Sequence, residues 1–375
     1  MEYRILLIES SRIMLERLSS VIRGTKDMVL AARYRSPEEA LGQGKVFEPN
    51  LILLDVEKEE SLLAVPRFVK AFPDAALLCL CNSWNAEMDS RVVKAGGRGC
   101  LVKPFSGDEL LAAVKNLGRS GQGIASDVMA FFSPKGKSGK TTLIANLALT
   151  LAQKTGDPVA VIDADWQFGD MAVFFNLTPQ STIVEAVRDI RFLSPFTLNS
   201  YFVPVNENLR VLCGTKRPEY AENINPRGFT ELLRMVRNQY RYVLIDLPPA
   251  FNPLSIAAAE AADTTYLVAM ISGGFEVEHM KRALEIFRDW PDYEDRVRAV
   301  FTRVEPCDPE SQRRLATALG YPVEAVLPNE YMLVSSAVND GRMAIELKPN
   351  SPLAQKISQL ADRITGRHHI RWDKP

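Results

Sequence analysis

The sequence predicts an α/β protein made of two doubly wound parallel-sheet domains in series. Three observations predict it. Short apolar runs of strand length alternate with amphipathic stretches of helix length. A Gly/Ser-rich stretch, GRSGQGIAS (Gly118 to Ser126), interrupts the alternation, which then begins afresh. At that restart, SPKGKSGKTT (Ser133 to Thr142) sits between an apolar run and a helical pattern, where a phosphate-binding loop belongs. The boundaries expected are 1–118 for the first domain, 119–126 for the linker and 127–375 for the second domain.

In the first domain, YRILLIES (3–10), LILLDVE (51–57), ALLCLCNS (76–83) and GCLVKPF (99–105) read as strands buried on both faces, since they are apolar without alternation. SRIMLERLSSVI and GDELLAAVKNLG carry helical spacing between them. In the second domain VMAFFS is a strand and TTLIANLALTLAQ the helix after the loop. PVAVIDAD, YRYVLIDLPP, TTYLVAM and RVRAVFTRV are further strands. FEVEHMKRALEIFRDW has helix spacing and reads as core or interface. No fixed-period repeat relates the two halves.

Composition narrows the function classes. With 46% apolar and 24% charged residues in 375, the chain is globular, not disordered. A net charge of −1 gives no bulk attraction to nucleic acid or acidic lipid. No apolar run reaches the ~18 residues of a membrane span, and the opening MEYRILLIES reads as a strand, not a signal peptide. The five cysteines form no C-x-x-C pair and sit mostly in apolar runs, as in a reduced cytoplasmic protein. The tail beyond Ile370 is short and poor in bulky apolar residues, so direct membrane insertion is not expected. Without a basic run or interleaved aromatics, DNA binding is not expected either.

The chemistry centres on the loop. It follows a strand and opens a helix, where first-turn amides lack intrahelical partners and the helix dipole favours anions. Two later strands end in carboxylates: VIDAD in Asp163 and Asp165, and VLIDLPP in Asp246. Carboxylates at strand ends beside a phosphate loop suit magnesium and an attacking water. Each Asp alone could instead be a helix cap or turn residue. The loop departs from G-x-x-x-x-G-K-[ST], because Pro134 stands in the first glycine position and lacks an N–H.

Lys135-Gly136-Lys137-Ser138-Gly139-Lys140-Thr141 resembles the deviant Walker A loop, K-G-G-x-G-K-[TS], of the ParA/MinD ATPases. DADWQFGD (163–170) and the closing segment resemble one branch, the CpaE/TadZ family of ATPases that position Tad (Flp) type IV pilus machinery. In the closing segment the marks are Pro328-Asn329-Glu330 and then Ala337, Asn339 and Gly341. The resemblance extends over essentially the whole chain, since that family carries a receiver-like domain in front. It implies ATP and Mg2+ as cofactors. It gives Lys140 the β- and γ-phosphates, Thr141 and Asp246 the magnesium with help from Asp163, and Asp165 the attacking water. Gly136, Lys137, Ser138, Gly139 and Thr142 would complete the phosphate cradle. Lys135 would reach the partner's ATP across a dimer, like an arginine finger. Thr302, Arg303, Pro328 and Asn329 fall at the base end, with Thr302 where the family usually has an adenine-reading Asn. Lys137 replaces the second glycine of K-G-G; if φ must be positive there, it is strained.

Residues 1 to about 118 resemble a response-regulator receiver. Asp55 falls at the possible phosphoacceptor position and Lys103-Pro104 at the receiver Lys-Pro pair. The usual acidic pair is Glu9-Ser10 here, and the usual hydroxyl aligns with Cys81, close to Ser83. One carboxylate and the hydroxyl are missing, which implies a pseudo-receiver serving as a docking or dimerisation platform in preference to a phosphorylated switch.

The resemblance therefore implies a cytoplasmic, ATP-dependent homodimer with slow turnover. It would lie peripheral to the inner membrane through pilus-assembly or polar landmark proteins. Two other function classes fit the same loop: a ParA-like partitioning ATPase that binds DNA non-specifically, and a nucleotide-binding scaffold without hydrolysis.

Overall fold

The computed structural model describes residues 2–117, 126–165, 168–215, 217, 219–220, 224–290 and 292–371. The predicted linker, except Ser126, and the tail containing Trp372 lie outside them. The chain divides into two compact units.

The first unit is built on a five-stranded parallel sheet of order β2-β1-β3-β4-β5. Its strands are β1 (Tyr3–Ile8), β2 (Met28–Tyr34), β3 (Leu51–Asp55), β4 (Ala76–Cys81) and β5 (Cys100–Val102). Helices α1 (Arg12–Gly24), α2 (Pro37–Gln43), α3 (Glu59–Ala71), α4 (Ala86–Lys94) and α5 (Gly107–Asn116) connect and follow them. β3 is buried at every position, as its unbroken apolar run requires. β2 was not among the predicted strands. It is the sheet edge, only its first residue is buried, and MVLAARY therefore lacks the apolar run that marks its neighbours. Helix starts are fixed locally: Ser11 caps α1 through the Met14 amide, and Ser106 with Glu109 forms a capping box on α5.

The second unit has an eight-stranded sheet of order β13-β12-β11-β6-β10-β7-β9-β8. The strands are β6 (Asp127–Phe132), β7 (Val159–Asp163), β8 (Val203–Pro204), β9 (Leu209–Leu212), β10 (Tyr242–Asp246), β11 (Thr264–Met270), β12 (Val297–Val304) and β13 (Val323–Pro328). All neighbours are parallel except β8, which pairs antiparallel with β9 and makes the sheet mixed instead of purely parallel as expected. A tight turn explains the difference: Asn206 Oδ1 accepts from the amides of Asn208 and Leu209 and folds two residues back on the edge.

Among the described residues the α-helices that follow β6 are α6 (Lys140–Thr155), α7 (Met171–Phe174), α8 (Ile183–Arg188), α9 (Pro195–Leu198), α10 (Pro226–Arg237), α11 (Pro253–Ala261), α12 (Phe275–Phe287), α13 (Tyr293–Arg296), α14 (Pro309–Leu319), α15 (Tyr331–Asn339), α16 (Ala344–Leu347) and α17 (Pro352–Arg371). α6 is the central one. Leu143, Leu147 and Leu151 are buried in the same core as Ile357 and Leu360 of α17, each leucine contributing about 1.5–3 kcal/mol by burial. No described helix is long and apolar enough to cross a membrane.

α9 groups with the first unit, which takes in Asp189–Ser200 and Arg234–Gln239 besides Met1–Ile124. Phe196 of α9 is 2% exposed and belongs to the core of Leu101, Leu110 and Val114. Gly99 makes the docking possible, since a Cβ there would lie 3.2 Å from the Phe196 ring.

Candidate functional site

β6 lies between β10 and β11, where the strand order reverses, and open α/β sheets bind ligands outside strand ends at such a point. The loop that leaves β6 is shaped by two left-handed residues, Lys137 (φ 64°) and Gly139 (φ 81°). The glycine takes this conformation without strain, whereas Lys137 carries the strain expected of a side chain there. Ser133 closes the loop's start: its hydroxyl donates to the Lys135 carbonyl at 2.6 Å and accepts from the Lys135 amide at 3.3 Å.

Lys140 and Thr141 begin α6 and meet the end of β10. Lys140 Nζ lies 2.9 Å from Asp246 Oδ1, and Thr141 Oγ1 donates to Asp246 Oδ2 at 2.6 Å. Both Lys140 and Asp246 are buried. This ion pair keeps the ammonium at the loop mouth, where phosphate oxygens would replace the carboxylate as its partner. The Thr141 hydroxyl and Asp246 carboxylate together form a hard-oxygen pair that fits magnesium. Among the described residues no cluster of three or more His, Cys, Asp or Glu could hold a metal alone. Magnesium chemistry asks for one or two protein oxygens beside phosphates and retained waters.

The residues from Gly136 to Thr142 line one cavity of about 520 Å3 together with Asp165, Asp246 and Arg303. Asp170, Phe168, Met270 and Tyr331 line it too and were not singled out from sequence. Burial raises the Asp170 carboxyl above the usual range, and the charges of Asp165 and Asp246 add to the shift. The DADWQFGD spacing held the signal for Asp170, since it is the third carboxylate of that stretch.

Asp163 lines neither this cavity nor the adjoining one. It is fully buried in register with Asp246. Oδ1 accepts from the Asp165 amide at 3.2 Å and Oδ2 from the Met171 amide at 3.1 Å. Burial and then the Asp246 charge push its carboxyl well above the usual range. Asp163 thus anchors both ends of the loop that presents Asp165 and Asp170, a placement unlike that of a metal ligand.

A second cavity of about 290 Å3 is lined by Thr302, Pro328 and Asn329 with Leu143, Leu327 and Ile357. Gly139, Thr142, Arg303 and Tyr331 line both cavities. Arg303, itself left-handed at φ 54°, stacks its guanidinium 5.5 Å from the Tyr331 ring centroid. Lys135 lies outside both cavities, exposed on the loop.

The first unit holds its own buried cluster at the ends of β1, β3 and β5. Lys103 Nζ lies 2.7 Å from Glu9 Oε2 and 2.8 Å from Asp55 Oδ1, and Ser10 Oγ donates to Asp55 Oδ2 at 3.2 Å. Burial pulls the Lys103 ammonium down, but Asp55 and Glu9 outweigh it and hold its pKa above the ordinary value. The Cys81 thiol donates to the Leu101 carbonyl at 3.8 Å.

Comparison with known proteins locates the second unit. Residues 126–290 match the family model for an AAA domain of the AAA_31 type. The chain is 26% identical over 240 residues to an uncharacterized ATP-binding protein of Methanocaldococcus jannaschii, covering 64% of this chain and 87% of that one. A ParA family ATPase from Chlorobium tepidum superposes with a TM-score of 0.59 at 19% identity, over 63% of this chain and 99% of that one. The septum site-determining protein MinD of Pyrococcus horikoshii, complexed with Mg-ADP, superposes with a TM-score of 0.54 at 21% identity, over 64% and 96%. At these identities the two structures establish likeness of fold. Residues 126–290 carry a P-loop ATPase domain of the ParA/MinD family.

Proposed function

We propose that this chain binds ATP with magnesium at the loop between β6 and α6, hydrolyses it slowly, and pairs with a second copy when ATP is bound. One observation carries the reading: Lys140, Thr141, Asp165 and Asp246 converge on a single cavity at the carboxyl ends of the strands. The Mg-ADP found in the MinD of similar fold supports the same cofactors.

In this reading Lys140 leaves Asp246 for the phosphate oxygens, and the amides of the loop and first turn of α6 receive the rest of the charge. Magnesium, when bound, supplies positive charge against the phosphates beside Thr141 and Asp246. Asp165, held by the Asp163 anchor, accepts a hydrogen bond from the attacking water and orients it. Lys135 reaches the other copy's nucleotide. Exposed Phe168, Phe275 and Met332, on the segments that follow β7, β11 and β13, support a protein partner at that mouth.

The finer assignment is a CpaE/TadZ-type role in localising or regulating Tad/Flp pilus assembly at the inner membrane face. It rests on the DADWQFGD stretch and the closing segment. The first unit serves as a docking platform, since Ser10 and Cys81 stand where a receiver has its second carboxylate and its hydroxyl.

Phosphate release by wild type, Lys140→Ala and Asp165→Ala tests the enzyme reading. Wild-type turnover lost in both variants is expected; equal rates in all three would sink it. Light scattering with ATP, with ADP and with neither tests pairing, and a dimer confined to ATP is expected.

A further inference from the structure

We propose that Lys137 acts in cis on the terminal phosphate of the nucleotide, so that each copy of this chain carries its own charge-stabilising cation and hydrolyses ATP without waiting for a partner. This rests on the nucleotide reading above and names how turnover at that site is governed: by the copy itself, with pairing a separate event.

Three features of Lys137 point there. It lines the phosphate cavity with Lys140, Thr141 and Asp165, whereas Lys135 lies outside it. Its backbone is left-handed at φ 64°, which glycine adopts freely and a lysine only with strain. Its ammonium is also uncommitted, since the side chain makes no hydrogen bond or ion pair among the described residues. Lys140 Nζ, by contrast, is held 2.9 Å from Asp246. Arg303 lies over the Tyr331 ring, in the wall shared with the second cavity.

The strain persists because the loop is fixed around it. Thr302 Oγ1 donates to the Ser138 carbonyl at 2.7 Å, and both residues are buried. Ser138 joins Lys137 to Gly139, itself left-handed at φ 81°. Glycine would fit position 137 without strain, and solvation of an ammonium does not offset that difference. Strain held in place by its surroundings concentrates where a side chain is set for function. Here it roots a flexible four-carbon stem and its point charge in the wall of the phosphate cavity.

The charges of the cavity supply the task. A nucleoside triphosphate brings negative charge to a wall that already holds Asp165, Asp170 and Asp246. Lys140 and magnesium answer part of it. In the step, a water oxygen bonds to the terminal phosphorus and the bond from that phosphorus to the bridging oxygen breaks. Its electron pair stays on ADP, and the water's proton leaves with the phosphate. A cation already in place stabilises the charge that shifts among these oxygens, whether the same chain or another supplies it. Lys137 supplies that charge and transfers no proton. Lys135, exposed on the loop, is left to strengthen the pair.

The test is phosphate release by the full chain with ATP and magnesium, in wild type, Lys137→Gly, Lys137→Gln and Lys137→Arg, with Lys140→Ala as the blank. Each is run over a dilution series in which light scattering follows pairing. Lys137→Gln keeps a side chain on the strained backbone and drops the charge, so loop shape and charge are read apart. Wild-type turnover per chain is expected to stay constant as pairs dissociate. In the Gly and Gln variants kcat is expected to fall about 100-fold, on the order of one lost transition-state contact. KM should change little, since the contact strengthens only in the transition state, and the Arg variant should recover most of the rate. A Gly or Gln variant that turns over like wild type, or wild-type turnover per chain that falls as pairs dissociate, would overturn this inference and leave ATP hydrolysis standing. Wild-type turnover no higher than that of Lys140→Ala would remove the hydrolysis reading and this inference with it.

Discussion

A methyl group on Gly169 would lie 2.3 Å from Asp163 Oδ2, inside any permitted contact. Gly169 thus lies directly against the carboxylate that accepts from the amides of Asp165 and Met171. Gly169→Ala must push that loop outward and move Asp165 with it. Misplacement by about 1 Å costs on the order of 100-fold in rate, so turnover should fall by about that factor. Nucleotide affinity, held by the loop around Lys140, should change little. Parallel rate and Kd measurements check this; an unchanged rate would refute the anchoring role.

Lys137→Gly should stabilise the chain. Its φ of 64° costs a side chain about 1–2 kcal/mol, part of which glycine returns through greater freedom in the unfolded state. A net gain of about 1 kcal/mol is expected in urea denaturation. A loss would mean that the Lys137 side chain makes a favourable interaction exceeding its backbone strain.

Lys103→Met should be severe. It leaves Glu9 and Asp55, both buried, without their shared cation. Removing one partner from a buried ion pair costs about 3–5 kcal/mol. Combining it with Glu9→Gln and Asp55→Asn should recover much of the loss, because the uncompensated charge is gone. Denaturation midpoints of the single and triple variants measure both effects.

Asp89 gives the first unit a pH signature. Burial raises its carboxyl above the usual range, while the Cys100 amide, donating at 2.9 Å, pulls partly the other way. The folded state therefore binds the proton more tightly than the unfolded chain. Its contribution is complete below the ordinary value of about 3.9 and is lost as pH rises through the folded pKa. Asp89→Asn keeps the acceptor and removes the charge. Wild-type stability relative to this variant should decline from acid toward neutral pH; a rise would contradict the assignment.

Much of this architecture was legible because parallel strands buried on both faces announce themselves as unbroken apolar runs, as LILLD and VAVID do. β2 and β13 escaped. β2 is a partly exposed edge, and β13 lies within a stretch read for its turn residues. The phosphate loop, Asp165 and Asp246 were legible because their chemistry depends on local spacing. The roles of Asp163 and Thr302 were not, since each is set by a partner the spacing does not reveal: the amide of Met171 for one and the carbonyl of Ser138 for the other. Lys137 was a conditional expectation, resolved once its backbone angle was known.

Phe196 has a consequence for synthesis. The sheet that it helps to cover is made early, yet Phe196 itself leaves the ribosome about 80 residues after Leu117. At ~5–20 residues per second that is roughly 4–16 s. During that interval the nascent sheet carries an uncovered apolar flank beside Gly99. Completion of the first unit is therefore timed by the translation of the second, and a pause or truncation between residues 118 and 196 would present that flank to chaperones.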